Sequence, residues 1–304
     1  MPSFSELTEA NRRLIEKMFD PSYSIGEAYL ENLADFVHFR IIGSGIWSGS
    51  YRNKSEFLSN VFFALAHELD GPISGTADQI LVEGDWACVR VTGRSKVRNG
   101  KRYDNDYCMV YRLAGGCIMQ VTEYLDTEMV AYSFGYRDQH RATPVRQPQV
   151  FETVPAVEPT SNYSDDAVTE DPVAARNKEL IRAIYADPAR NYGADYFDLL
   201  ADDVVYHIKG QTRFSGTFEG REAVRQDLFE PLMAELDGGL RAVADNVFAE
   251  GDWVCAQVRG MSRAKNGRRY DNDYCMVFKL AEERIVEVHE YLDTELVTFA
   301  FGAG

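Results

Sequence analysis

Basic charge is scarce in this chain. Its 304 residues hold 32 Lys plus Arg against 48 Asp plus Glu, for a formal charge of -16. Such a field repels nucleic-acid phosphates and anionic membrane surfaces, and no Lys/Arg cluster stands against it. Long apolar runs are missing as well: nothing approaches the roughly 18 residues of a membrane span, and MPSFSELTEANRRLIEKMF lacks a basic stretch followed by an apolar one. A cytoplasmic location is expected. Of only five cysteines, Cys88, Cys108, Cys255 and Cys275 lie in strand-like apolar runs and Cys117 lies near a turn. With no CxxC spacing, reduced and mostly buried thiols are expected. The five histidines are scattered, so the spacing predicts no metal site and no cofactor. A glycine-rich phosphate loop and a nucleophile elbow are also missing.

What is present is a repetition. RYDNDYCMV runs from Arg102 to Val110 and again from Arg269 to Val277. The phrase belongs to a gapless match of the segment starting at Gly84 onto the segment starting at Gly251, at an offset of 167. The same offset carries Glu123–Glu128 (EYLDTE) onto Glu290–Glu295, and Leu33-Ala34-Asp35 onto Leu200-Ala201-Asp202. Such a period is far longer than that of a solenoid and predicts a tandem pair of globular domains, 1–136 and 173–304. Residues 137–172 hold five prolines and little apolar periodicity, which predicts an extended linker.

Each copy reads alike. Leu14, Ile15, Met18 and Phe19, and again Leu180, Ile181, Ile184 and Tyr185, fall at helical spacing. A second short helix is expected before Ala34 and Ala201, then a strand such as Val204–Ile208. SGTFEGREAV reads as a turn feeding a third helix that ends by Asp237-Gly238-Gly239, and strands are expected over roughly 82–99, 101–114 and 117–126. The order predicts an α+β fold, with helices packed on one face of a curved, mostly antiparallel sheet.

The order of elements, the stretch Phe214–Val224 and the terminal Arg284–Asp293 resemble the nuclear transport factor two-like superfamily, above all the SnoaL-like polyketide cyclases and limonene epoxide hydrolase, with ketosteroid isomerase more distant. The resemblance covers both halves and implies two cone-like α+β barrels. It also implies pairing of the two copies with each other, because such domains usually form sheet-to-sheet dimers. A fold that hosts enzymes and binding modules alike leaves function to the site.

In the last strand of each copy, alternation places Val286, Val288, Glu290 and Leu292 on one face, and Met119, Val121, Glu123 and Leu125 on the equivalent one. A carboxylate on an apolar face has its pKa raised toward the range of neutral-pH proton transfer. The resemblance places Glu123 and Glu290 at the catalytic Asp of the cyclases and at one catalytic Asp of limonene epoxide hydrolase. That hydrolase's second carboxylate falls at Thr92 and Arg259, and its Arg at Arg90 and Gln257; the base of the isomerase falls near Ile41 and Ile208. None of these positions supplies the missing acid. The expected catalytic set is therefore Glu290 and Glu123 with Arg259 and Arg90.

Substrate contacts are expected from Tyr107 and Asn105, from Tyr274 and Asn272, and from Tyr206, Phe214 and Trp47. Whether Tyr107 or Cys108 faces Glu123 depends on hairpin register. Tyr206 matches a pocket tyrosine of limonene epoxide hydrolase, whereas Phe39 lacks the hydroxyl, so the second site is expected to be the more active. Three readings follow: a cofactor-free isomerase, cyclase or dehydratase for a hydrophobic polyketide-, terpenoid- or steroid-like compound; a non-catalytic binding or assembly module; or an epoxide hydrolase.

Overall fold

The computed structural model describes residues 3–135 and 171–302. They fall into two units, one of residues 3–123 with 129–135 and one of residues 124–128 with 171–302. Of the expected linker, 137–170 lie outside the described residues. Asp171 and Pro172 already belong to a helix start, where the Asp171 side chain accepts from the Val173 N–H and proline occupies the first turn.

The first copy of the repeat runs α1 (Phe4–Met18), α2 (Ile25–Asn32), β1 (Leu33–Ile41), β2 (Gly49–Tyr51), α3 (Lys54–Phe57), α4 (Phe63–Glu68), β3 (Gly75–Glu83), β4 (Trp86–Lys96), β5 (Arg102–Ala114), β6 (Cys117–Leu125) and α5 (Thr127–Phe134). The second runs α6 (Pro172–Ile184), α7 (Ala194–Leu199), β7 (Leu200–Ile208), β8 (Gly216–Glu219), α8 (Arg221–Ala223), α9 (Glu230–Glu235), β9 (Ala242–Glu250), β10 (Trp253–Gly260), β11 (Ser262–Arg263), β12 (Arg269–Tyr270), β13 (Asp273–Ala281), β14 (Arg284–Leu292) and α10 (Thr294–Phe301).

Local sequence starts the helices. Ser3 accepts from the Glu6 N–H while the Glu6 carboxylate accepts from the Ser3 N–H, satisfying two donors that the first turn of α1 leaves open. Ser24 and Glu27 repeat the device at α2. Asn11, Ile15 and Met18 form the buried stripe of α1, and Asn11 donates its side-chain amide to the Gly84 carbonyl at 2.8 Å. Asn177 makes the same bond to Gly251 at 3.1 Å, so both copies pin the first helix to the same β-turn.

Each unit holds an open six-stranded sheet, β2-β1-β6-β5-β4-β3 and β8-β7-β14-β13-β10-β9. The last long strand pairs in parallel with the first, β6 with β1 and β14 with β7, while β13, β10 and β9 join antiparallel. Helices cover one face, and the second core joins Ile181 and Tyr196 of the helices to Val258, Tyr274, Met276 and Val288 of the sheet. This is the α+β fold expected from the order of elements, and the sheets are open rather than closed into the barrels that the resemblance implied. Between α3 and α4, and between α8 and α9, the helix widens into π turns at Leu58–Phe62 and Val224–Phe229. The turns set Phe62 and Phe229 beside Tyr29 and Tyr196, at ring centroids of 6.2 and 5.7 Å.

Some expected bounds differ. The stretch read as one strand over 82–99 is two, β3 and β4, split at Gly84, whose φ of 56° suits glycine. Thr217, in the stretch read as a turn, belongs to the edge strand β8 paired with β7, and the terminal helices α5 and α10 had no separate signal.

Candidate active site

Register decides which side chains meet the two glutamates. Glu290 of β14 lies opposite Met276 on β13 and beside Ile208 on β7. Its cross-strand neighbour is thus neither the tyrosine nor the cysteine of the repeated phrase, but the methionine between them and Phe278. Antiparallel partners share a face, so Tyr274 and Phe278 flank Met276 on the glutamate side. Glu123 is likewise paired with Ile41 on β1. Both carboxylates are set deep among apolar neighbours yet keep some accessible surface.

Burial pushes both glutamates from the ordinary carboxylate range up to about 7. Around Glu290 the Tyr206 hydroxyl donates to Oε2 at 2.7 Å, which favours the charged form and works against burial. Tyr185, Tyr192, Tyr196, Tyr270 and Tyr274 surround the same charge, and the hydroxyls of Tyr185 and Tyr192 are 3.3 Å apart. Burial first, then a neighbouring tyrosine and after it the glutamate's charge, holds their pKa values above that of a free phenol, so they remain hydroxyl donors. Around Glu123 the corresponding ring is Tyr29, Tyr51, Tyr107 and Tyr111; burial first, then Glu56 and Glu123, push Tyr51 up to about 12.

The hydroxyls are redistributed between the copies. Phe278 lies opposite Val288 on one side and Tyr206 beside it on the other. The first copy carries Tyr111 where the second has Phe278, and Phe39, beside Val121, where the second has Tyr206. Phe39 stacks on Phe57 at 3.8 Å instead of meeting a carboxylate. Each recess therefore has one hydroxyl at this pair of positions, on opposite sides of the central valine.

The structure separates other expected residues from the glutamates. Arg259 lies opposite Asp273 on β13, whereas Val258 lies opposite Tyr274, so alternation sends the arginine to the far face. There it forms a two-pronged pair with Asp245 at 2.8 and 3.1 Å, with about half its side chain exposed. Arg90 lies opposite Cys108 rather than Tyr107 and donates to Gln79 at 2.9 Å. The strand positions facing the glutamates are Val89 and Val91, and Ala256 and Val258. Neither copy offers a second carboxylate or a cation there.

Asn272 is fully buried and serves the backbone: it donates to the Asp293 carbonyl at 2.9 Å and accepts from the Asp293 N–H at 3.0 Å. That pair fixes the start of α10, which Asp293 caps through the Leu296 N–H. Asn105 is buried at the matching place. Phe214 packs edge-on against Phe301, with Tyr270 on the same ring, and Trp47 packs edge-on against Phe134, with Tyr103 on that ring. These aromatics are packed under the last helix of each copy. Tyr107 and Tyr274 line the recess, and Gly93 makes room for the Tyr107 ring, since a Cβ there would come within 2.8 Å of it.

Tyr29 and Tyr196, brought in by the second helices, and Tyr192 before α7 were missed from sequence, although Tyr29 and Tyr196 coincide at the repeat offset. A cluster on the far face of the second sheet, His207, Glu287 and His289, was missed too. His207 lies 80 or more residues from the other two. Only the parallel pairing of β7 with β14 joins them.

This fold and recess define a class. Residues 193–288 match the family of the SnoaL-like domain. The first copy repeats the strand order of the second. Among solved structures, the chain is similar to a Jannaschia sp. CCS1 protein named as a SnoaL-like polyketide cyclase, at 20% identity over 45% of this chain and 98% of that one, with a TM-score of 0.38. It is similar to a Burkholderia pseudomallei K96243 NTF2-like protein at 20% identity, over 42% and 98%, with a TM-score of 0.38. It is also similar to an LEH-like epoxide hydrolase of M. tuberculosis at 17% identity, over 42% and 91%, with a TM-score of 0.35. Among curated proteins none matches the chain. No helix among the described residues is long and apolar enough to cross a membrane.

Proposed function

We propose that the chain is an acid–base catalyst that needs no cofactor and moves a proton on a hydrophobic, carbonyl-bearing small molecule of polyketide, terpenoid or steroid type, in the cytoplasm. The observation that carries this reading is Glu290, an inward carboxyl raised to about 7 and held by Tyr206 at 2.7 Å. Near neutral pH such a group exists in both forms, as a base and as its conjugate acid. Glu290 takes the proton from a carbon next to the carbonyl, and the C–H electron pair moves into an enolate. A tyrosine hydroxyl of the ring, such as Tyr196 or Tyr274, donates to the enolate oxygen. Return of the proton to another carbon gives isomerisation; attack of the enolate carbon on a second carbonyl gives cyclisation; expulsion of a β-hydroxyl, protonated by the glutamic acid, gives dehydration.

The facing valines and alanine disfavour epoxide hydrolysis by paired carboxylates, because no second acid stands ready to activate water. Glu123 with its own tyrosine ring is proposed as the lesser site. Pairing of the two copies within one chain is proposed on the duplication and on the length of the 137–172 segment. Small-angle scattering that shows two separately tumbling lobes would oppose it.

The test is proton exchange. The protein is incubated in D2O with a panel of enolisable enones and β-diketones, and deuterium uptake is followed by NMR. Uptake accelerated by the wild type and lost on Glu290→Gln supports catalysis. A ligand that raises the melting temperature without exchange points to the binding module instead.

A further inference from the structure

We propose that the far face of the second sheet carries a binding site for one divalent transition-metal ion, Zn2+ being the ion it suits best, built from His207, Glu287 and His289. Ligand atoms of the three lie within 4.8 Å of one another. His207 and His289 are register partners across the parallel β7–β14 pair, with rings stacked at 4.6 Å and 13°. Glu287, two residues from His289 on β14, shares its face, and its Oε1 is 2.6 Å from His289 Nε2. Two imidazoles and a carboxylate from adjacent strands form the donor set of an open zinc site, at about 2.0–2.2 Å per bond, with water completing the shell.

The surroundings already orient two of the ligands. His207 Nδ1 meets the Thr217 hydroxyl at 2.9 Å, which orients the ring. Trp253 lies against the His289 ring at 6.5 Å and limits its rotation. Such outer contacts fix tautomer and ring direction. An opposing charge is Lys279, opposite Glu287 in the register and turned onto the Trp253 ring at 5.4 Å; Glu219, beside Val205 in the neighbouring row, is a further acid on this face.

An N···O separation of 2.6 Å requires a proton between His289 and Glu287. The ion takes the place of that hydrogen bond, and a neutral imidazole keeps its one proton on the other ring nitrogen. The first copy supplies a control from the same fold, because the three positions there are Arg40, Gln120 and Thr122, of which Arg40 and Thr122 are themselves register partners. The site stands on the face opposite Glu290, so it does not depend on the proposed proton chemistry.

The test is calorimetric titration of the untagged, full-length, reduced protein with Zn2+, in buffers of different ionisation enthalpy. The expected result is one ion per chain. His207→Arg with Glu287→Gln and His289→Thr, the residues that the first copy carries, should weaken binding at least about tenfold without loss of cooperative unfolding. His289→Asn alone gives the same reading should the triple variant fail to fold. Co2+ absorption should show nitrogen and oxygen ligation. Binding unchanged in these variants, absence of saturable binding, or a sulfur-to-cobalt charge-transfer band would each overturn the assignment.

Discussion

The Tyr206 hydroxyl donates to Glu290 at 2.7 Å, while Phe39, its counterpart in the first copy, stacks on Phe57 and has no proton to give. This pair distinguishes the two recesses more than any other. Tyr206→Phe removes a bond that lowers the Glu290 pKa, so the acidic limb of the pH–rate profile should move to higher pH, with a rate loss of roughly ten- to a hundredfold from a charge-assisted bond. Glu290→Gln should abolish most activity and Glu123→Gln should cost less. Equal losses would contradict the asymmetry.

Raised carboxyl pKa values also govern stability. An unfolded glutamate loses its proton near 4.5, and the folded one holds it to about 7. Between these values the folded state binds more protons, so stability falls as pH rises and levels off above 7. The cost at pH 8 is up to about 3 kcal/mol per glutamate. Glu290→Gln should therefore raise the melting temperature at pH 8 and flatten the slope between pH 5 and 7, by calorimetry across that range.

Arg259 offers the opposite expectation. Its pair with Asp245 is half exposed on the far face, and such pairs contribute roughly 0–1 kcal/mol. Arg259→Ala should leave turnover and pH profile unchanged.

Asn272 should matter to folding rather than chemistry. Asn272→Ala leaves the buried Asp293 N–H without its partner and the carbonyl with only the Val297 N–H at 3.4 Å, a loss on the order of 1–3 kcal/mol. Chemical denaturation should show it, while the pH dependence of the remaining activity should keep the wild-type midpoint.

Much of the architecture was legible because the chain states it twice. A gapless repeat at offset 167 and alternation around Glu123 and Glu290 were enough to place one inward carboxyl on the last strand of each copy. The arginines were legible as residues but not as neighbours. Their face depends on the β4–β5 and β10–β13 registers, and a slip of one residue turns a whole strand over. Hydroxyls arriving from the second helices, and the His207–His289 pair, depend on tertiary contacts that carry no local signal.

The most direct measurement is the titration of Glu290 itself, followed by the 13C resonance of its side-chain carboxyl and assigned by its loss in Glu290→Gln. A midpoint near 7, moving upward in Tyr206→Phe, is the result the proposed mechanism predicts. A midpoint at the ordinary value near 4.5 would mean a solvated carboxylate with no share in proton transfer at neutral pH.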